Sequence, residues 1–204
     1  MVCTLHGFCY HFANVEVEPL PLPGAFLIKP VRHGDSRGFF SETFRAQTLL
    51  DAGIEVPWVQ DNHAKSPAPG TLRGLHFQIG EHAQAKLVRV PRGAVVDVIV
   101  DIRKGSPTFA QHLVIPLNEE NWHQLYVPVG FAHGYCTLLP DTEVQYKVST
   151  YYDPASERGV LWNDPDLAID WQLPASGPLI AERDQAFPRL RDLGSYFDFS
   201  GATS

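Results

Sequence analysis

Helix-period patterning is what this sequence has least of. Apolar residues rarely recur at intervals of three and four, which argues against a helical bundle. The exception is "RAQTLLDA", Arg45 to Ala52, which predicts a short helix capped by Ser41 or Thr43 and closed by Gly53. Cysteine is scarce too, with only Cys3, Cys9 and Cys136. An odd, scattered count fits neither a disulfide framework nor a zinc pattern, and predicts reduced thiols in a cytoplasmic protein. No apolar run approaches the ~18 residues of a membrane span, so no membrane partner is expected. Basic charge is in deficit: 16 Lys and Arg against 23 Asp and Glu leave −7. Nucleic-acid binding needs a basic face, so nucleic acid is not an expected partner either. A small anionic ligand remains open, because a few local arginines can hold one. The opening "MVCTLHGFCYHFANVEVE" contains no Lys or Arg, which argues against a signal peptide.

What is present is strand signal. "KLVRV" (Lys86 to Val90) alternates, and "AVVDVIVDI" (Ala94 to Ile102) is long and β-branched. "HLVIPL" (His112 to Leu117), "HQLYVP" (His123 to Pro128), "HGYCTLL" (His133 to Leu139) and "EVQYKVSTYY" (Glu143 to Tyr152) follow. The turns "PRG", "RKGSP", "NEEN", "PVG" and "PD" separate them at short intervals. Such spacing predicts an all-β antiparallel sandwich or barrel. The tail from Asp153 to Ser204 is rich in Pro, Asp and Gly, and is expected to wrap the barrel with irregular structure and a few short helices. At roughly 100–200 residues per domain, one domain is expected. Residues 1–14 look unlike the rest and read as a disordered or atypical extension, leaving 15–204 as the domain.

The stretch "GTLRGLHFQIGEHAQAKLVRVPRG", Gly70 to Gly93, begins like the metal-binding half of a cupin barrel. Yet Gln78 stands where a second histidine belongs and Lys86 where a carboxylate belongs. "LYVPVGFAHGYC", Leu125 to Cys136, has the Pro-x-Gly-x-x-His spacing of the second half, so His76 and His133 are the remaining candidate ligands. Two histidines are a thin set for a transition metal. An ammonium a few ångströms from a divalent ion costs roughly several kcal/mol even at an effective dielectric near 20. No metal is therefore expected. Strand alternation puts His76 and Gln78 on one face, Lys86, Val88 and Val90 on another, and Val144, Tyr146 and Val148 on a third. If all three faces point inward, an imidazole, an ammonium and a phenol meet in a cavity walled by those valines. That is a base, an oxyanion holder and an acid, the set needed to invert a carbon beside a ketone.

Eight segments now resemble one family. They are "DSRGFFSE", "VQDNHAKS", "LRGLHFQ", "QAKLVRVPRGAVVDVIVDIRKGSPTF", "VPVGFAHGY", "EVQYKVSTYYDP", "NDPDLAIDW" and "ERD", in order between about Pro23 and Pro188. Together they are similar to the dTDP-4-dehydrorhamnose 3,5-epimerases, sugar-nucleotide epimerases with a cupin-type jelly-roll fold. The resemblance implies catalytic roles for His76 as proton acceptor, Asp184 as its carboxylate partner, Lys86 as enolate holder and Tyr146 as proton donor. It implies substrate contacts at Arg73 and His133, and nucleotide or diphosphate contacts at Gln60, Asn62, Glu157 and Arg183. It further implies a dTDP-sugar substrate, no cofactor, and a homodimer whose exchanged N-terminal strand brings Arg37 and Glu42 to the partner's site. The Pro-rich loop "KSPAPGT", Lys65 to Thr71, departs from the pattern.

Other residues read as structural. His63 and His82 are expected in loops. Asp164, Asp166 and Asp170 suit turns and caps. Trp58, Trp162 and Trp171 suit packing, and Cys136 an apolar, inert position. The rival readings are a 3-epimerase or ketoisomerase on the same scaffold, a metal-dependent cupin oxygenase, and a non-catalytic sugar-nucleotide binding module.

Overall fold

The computed structural model describes residues 10–12 and 14–200. The expectation for residues 1–14 therefore lies mostly outside the described residues, as do Cys3 and Cys9. Within that stretch Tyr10–Phe12 forms a strand, β1, paired with β2 (Val15–Pro19).

The β-branched and alternating runs become strands because their apolar side chains find a facing sheet to cover them. After β3 (Phe26–Pro30) come a hairpin of β4 (His33–Asp35) and β5 (Gly38–Phe40), helix α1 (Ala46–Asp51), β6 (Gln60–Ser66) and β7 (Thr71–Gln78). Then follow β8 (Lys86–Arg92), β9 (Ala94–Asp101), β10 (His112–Asn118), β11 (Gln124–Val127), β12 (Phe131–Thr137) and β13 (Thr142–Val148). The tail supplies β14 (Glu157–Gly159), β15 (Leu179–Ile180) and α2 (Glu182–Gln185). One sheet runs β1-β2-β3-β11-β8-β13-β6. The other runs β10-β9-β12-β7-β14, with β15 added parallel to β7. All other pairings between these strands are antiparallel.

The alternation assigns each face. Val88, Val90, Leu125, Val127 and Val144 of the first sheet pack with Val95, Ile99, Leu117, Phe131 and Tyr135 of the second to form the inter-sheet core. The first sheet's outer face carries Leu87 and Tyr126, covered by Leu49 of the helix and Ala52 just after it. The second sheet's outer face carries Leu75, Phe77, Val96, Val98 and Cys136, covered by Trp171, Leu190, Trp162 and Phe197 of the tail. The tail thus wraps the sandwich as expected. It also adds two strands to the edge of β7, which its Pro-rich composition did not announce.

Three further expectations need correcting. Neither Ser41 nor Thr43 caps α1; its N-cap is Arg45, without a side-chain bond. Ser41 Oγ instead accepts from Trp122 Nε1 at 3.0 Å, and the Thr43 carbonyl accepts from Gln124 Nε2 at 2.7 Å. The strand predicted to reach Tyr152 ends at Val148. There Ser149 turns to Ala85, its N–H donating to the Ala85 carbonyl and its hydroxyl accepting from the Ala85 N–H at 2.9 Å. His63 is not in a loop but in β6, on its outer face, where Nε2 lies 3.0 Å from Glu143. Among the described residues no helix is long and apolar enough to cross a membrane.

Candidate active site

A cavity of about 690 Å³ opens between the two sheets, within the size range of sugar-nucleotide-sized ligands. From β6 it takes Gln60 and Asn62, and from β13 Tyr146. From β7 it takes Arg73 and His76, and from β12 His133 and Tyr135. Glu157 on β14 and Arg183 and Asp184 on α2 close it from the tail. A smaller hollow of about 380 Å³, lined by Asp61, His63, Arg89 and Lys147, lies on the outer face of the first sheet, away from the His76–Asp184 pair.

His76 Nε2 lies 2.9 Å from Asp184 Oδ1. Asp184 is 2% exposed, and its other oxygen accepts from the Gly74 N–H at 3.1 Å. Burial, the largest influence, works to raise its pKa. The His76 hydrogen bond and charge, the Gly74 N–H and Arg183 outweigh it and hold the carboxyl below its usual range. Phe187 stands edge-on to the His76 ring with centroids 5.6 Å apart. β7 can approach β12 closely enough to set this geometry because two glycines meet there. A Cβ on Gly74, whose φ is +134°, would fall 2.6 Å from Gly134 Cα.

Directly across the β7–β12 pairing from His76 is His133, 6% exposed, with Nε2 2.9 Å from Asp97 Oδ1. Burial lowers its pKa against the pull of Asp97. Lys86 shares the inward face of β8 with Val88 and Val90 but is not among the residues that line the cavity. Burial pulls its pKa down to about 8, against the charges of Asp97 and Glu157. Tyr146 comes from the opposite sheet to His76, and burial pushes its pKa up, against Arg73. The phenol therefore keeps its proton at neutral pH.

The expected valine wall is a correction. Val88, Val90 and Val144 are core residues beside the site, and Val148 is fully buried, but none lines the cavity, whose apolar wall comes instead from Ala64, Leu72, Leu179 and Ile180. Gln78 explains the oddity in the motif. Its amide donates to the His82 carbonyl at 2.7 Å and accepts from the Asp153 N–H at 2.8 Å. Where a metal ligand would stand, the side chain fixes two loops instead. Among the described residues no group of three His, Cys, Asp or Glu is arranged to hold a metal ion.

Gln60 Nε2 donates to Asn62 Oδ1 at 2.8 Å. Glu157 accepts from Arg183 at 2.7 Å and from the Tyr152 hydroxyl at 3.0 Å through one oxygen. Arg37 and Glu42 are not at this cavity; they pair locally with Asp35 and Arg45, each at 2.6 Å. Sequence reasoning missed Asp97, Tyr135 and Tyr152. Asp97 had a signal: it interrupts the apolar middle of "AVVDVIVD". Of the residues read as structural, the buried aspartate, the tryptophan pair and the cysteine hold their expected places. Asp164 accepts from the Asp166 and Leu190 N–H groups, Trp171 Nε1 donates to the Trp162 carbonyl at 2.8 Å, and Cys136 is fully buried.

Fold and cavity together define the class, a jelly-roll sandwich with an acid–base cleft between its sheets. Comparison with known proteins narrows it. Residues 19–192 match the family model described as dTDP-4-dehydrorhamnose 3,5-epimerase. The Salmonella typhimurium enzyme of that name is 48% identical over 83% of this chain and 92% of its own length. A solved Legionella pneumophila dTDP-6-deoxy-D-glucose-3,5-epimerase, in complex with dTDP-4-keto-L-rhamnose, is 38% identical. It covers 92% of this chain and 100% of its own at a TM-score of 0.87. A 3'-monoepimerase from Streptomyces bikiniensis, in complex with dTDP-quinovose, is 38% identical over 85% of this chain and 87% of its own, with a TM-score of 0.79. The chain belongs to the dTDP-4-dehydrorhamnose 3,5-epimerase family.

Proposed function

We propose that this chain inverts C3 and C5 of dTDP-4-dehydro-6-deoxy-D-glucose to give dTDP-4-dehydro-β-L-rhamnose. The observation that carries the reading is the His76–Asp184 pair on one wall of a cavity that has Tyr146 on the other. The C4 ketone makes the protons on C3 and C5 acidic. With Nε2–H donating to Asp184, the free Nδ1 of His76 is the basic atom that takes the proton, and Asp184 stabilises the imidazolium that forms. Lys86 stands behind the cavity lining on the inward face of β8, and its ammonium turns in to hold the enolate oxygen when the sugar is bound. Tyr146 returns a proton to the opposite face of the carbon. Each inversion removes one proton and adds one, and no electrons are transferred, so the reaction as written calls for no redox cofactor.

Arg73 and His133 contact the sugar, while Gln60, Asn62, Arg183 and Glu157 serve the nucleotide end. Glu157 does so by holding Arg183 and Tyr152, since a carboxylate repels a diphosphate. Residues 15–204 act as one cupin-type domain in the cytoplasm, consistent with the scattered cysteines. Two copies form a dimer in which the N-terminal strand region exchanges and delivers Arg37 and Glu42 to the partner's cavity. The exposure of Phe39 and Phe40 on the β4–β5 hairpin, 52% and 71%, supports this.

The likeness to a 3'-monoepimerase favours one second reading, inversion at C3 alone. One experiment separates the two. The purified protein is incubated with dTDP-4-dehydro-6-deoxy-D-glucose in D2O and deuterium is located by NMR. Incorporation at both C3 and C5 is expected; C3 alone would select the second reading, and neither would remove the enolate mechanism. His76→Ala should slow exchange by roughly 10²–10⁴-fold with the folded structure retained.

A further inference from the structure

The hairpin of β4 and β5 pairs only with itself and joins neither large sheet. Every residue from Val31 to Phe40 is exposed. A two-stranded ribbon is marginal on its own, so its direction depends on what ties it to the sandwich. Those ties lie on one face. Strand alternation puts Arg32, Gly34 and Phe39 on that face, and His33, Asp35 and Phe40 on the other. The Phe39 ring stands edge-on to Trp122, with centroids 5.1 Å apart and planes at 82°. The Arg32 guanidinium lies over both rings, 5.4 Å from Phe39 and 5.7 Å from Trp122. It also donates to the Glu119 carbonyl at 3.0 Å and to the Glu120 carbonyl, both in the turn that carries Trp122. Just past β5, Ser41 Oγ accepts from Trp122 Nε1 at 3.0 Å. Both stems of the hairpin therefore meet the sandwich at one indole.

That indole is held rigidly. Trp122 has a φ of +59°, a left-handed conformation that bulky residues rarely adopt and that persists only where the surroundings impose it. The turn imposes it: the Trp122 N–H donates to the Asn118 carbonyl at 3.1 Å. The Asn118 side chain in turn accepts from the N–H groups of Glu120 and Asn121 at 2.9 and 2.7 Å. Arg89 of β8 lies 5.7 Å from the same ring. Yet none of Arg32, Phe39 and Trp122 lines the cavity of its own subunit. What the stack fixes is the direction in which the hairpin leaves the subunit. Its free face carries Phe40, 71% exposed, and its tip carries Arg37, with a side chain 87% exposed. We propose, resting on the exchanged-dimer reading above, that Trp122 with Arg32 and Phe39 stacked on it is a positioning residue for the cavity of a second copy of this chain. It sets the angle at which the hairpin delivers Arg37 there. A defect in the stack of one subunit is thus felt in the site of the other.

Subunit mixing tests this. Trp122→Ala leaves a chain with an intact His76 and a displaced hairpin, and His76→Ala leaves the reverse. Each homodimer should lose about tenfold or more in kcat/KM. The purified heterodimer should regain the turnover of one working site, because its one intact His76 is served by its one intact hairpin. A lesion confined to the interior of the Trp122→Ala subunit would give no recovery, since the intact base lies in that subunit, and that outcome would overturn the proposal. So would a Trp122→Ala homodimer with wild-type kcat/KM, or one that sediments as a monomer, which would make the stack an assembly contact. If Trp122→Ala fails to fold, Arg32→Ala, a change at an exposed side chain, replaces it in the same mixture with the same outcomes read. Arg37→Ala mixed with His76→Ala reports on the exchanged dimer alone. Recovery there without recovery for the stack variant sinks only the positioning role, and recovery in neither sinks the exchange.

Discussion

A lysine that stabilises an enolate must be charged to do so, and Lys86 holds its proton less firmly than a solvated lysine. Burial brings its pKa to about 8, with Asp97 and Glu157 limiting the fall. On the proposed mechanism kcat/KM should therefore decline about tenfold per pH unit above pH 8, as the ammonium becomes an amine. A pH–rate profile checks this: a plateau running up to the ordinary lysine value of about 10.4 would contradict it. Lys86→Arg should remove the basic limb altogether, because a guanidinium does not titrate in that range. At this scale the sequence singled out candidates, of which His76 and Tyr146 line the cavity and Lys86 does not. His76, Lys86 and Tyr146 stand out because strand alternation fixes their face and because a cation on an inward face is costly without a purpose. Asp184 was reached by resemblance, since its partner lies far away in sequence and no local pattern marks it. Asp97 and Tyr135 went unread for a related reason. Only packed strands reveal that one meets His133 and the other lines the cavity.

The elements that place His76 include β14, whose last residue, Gly159, lies directly opposite it. A Cβ on Gly159 would sit 2.4 Å from the Phe187 ring, the same ring that stands against His76. Gly159→Ala should therefore displace Phe187 and tilt the imidazole. The expected result is a kcat lower by about tenfold or more, since small misplacements of a catalytic group are costly. Overpacking should also lower stability by about 1–3 kcal/mol. Steady-state kinetics and a denaturant titration would show both; an unchanged kcat would mean that Phe187 does not position His76 for the proposed reaction. The same strand shows where reading elements from sequence stops. From β8 to β13 the β-branched content is high and the turns are frequent, so the pattern is plain. "ERG" and "LI" have no period at all; they are strands only because β7 offers them an unpaired edge. The start of α1 was misread because Ser41 and Thr43 bond to residues more than eighty positions away, which no local rule anticipates.

For the molecule as a whole, the role proposed for Lys86 and the stability of the sandwich pull in opposite directions. The folded-state pKa of Lys86, about 8, lies below its unfolded value of 10.5. Folding therefore favours the neutral amine, and the ammonium carries a penalty that is full below pH 8. The penalty fades as pH rises from 8 toward 10.5, where the unfolded chain also loses the proton. Asp101 has the opposite sign. Burial would raise its pKa, but its bonds from Arg103, Ser106 and Thr108 hold it below the usual value, so it adds stability at neutral pH that is lost on acidification. Lys86→Met replaces the part-buried charge with an apolar chain of similar length. Such replacements are often stabilising, and active-site charges are a recurrent source of trade-off between stability and function. At pH 7 the variant should be more stable than the parent, by on the order of a few kcal/mol, while losing deuterium exchange at C3 and C5. The distinguishing feature is the pH dependence of the difference. Melting temperatures of the two proteins should converge between pH 8 and about 10.5 as the parent sheds its part-buried charge. A gap that stays constant across that interval would assign the gain to packing rather than to charge. A variant less stable than the parent at pH 7 would show that Asp97 and Glu157 compensate the ammonium in full.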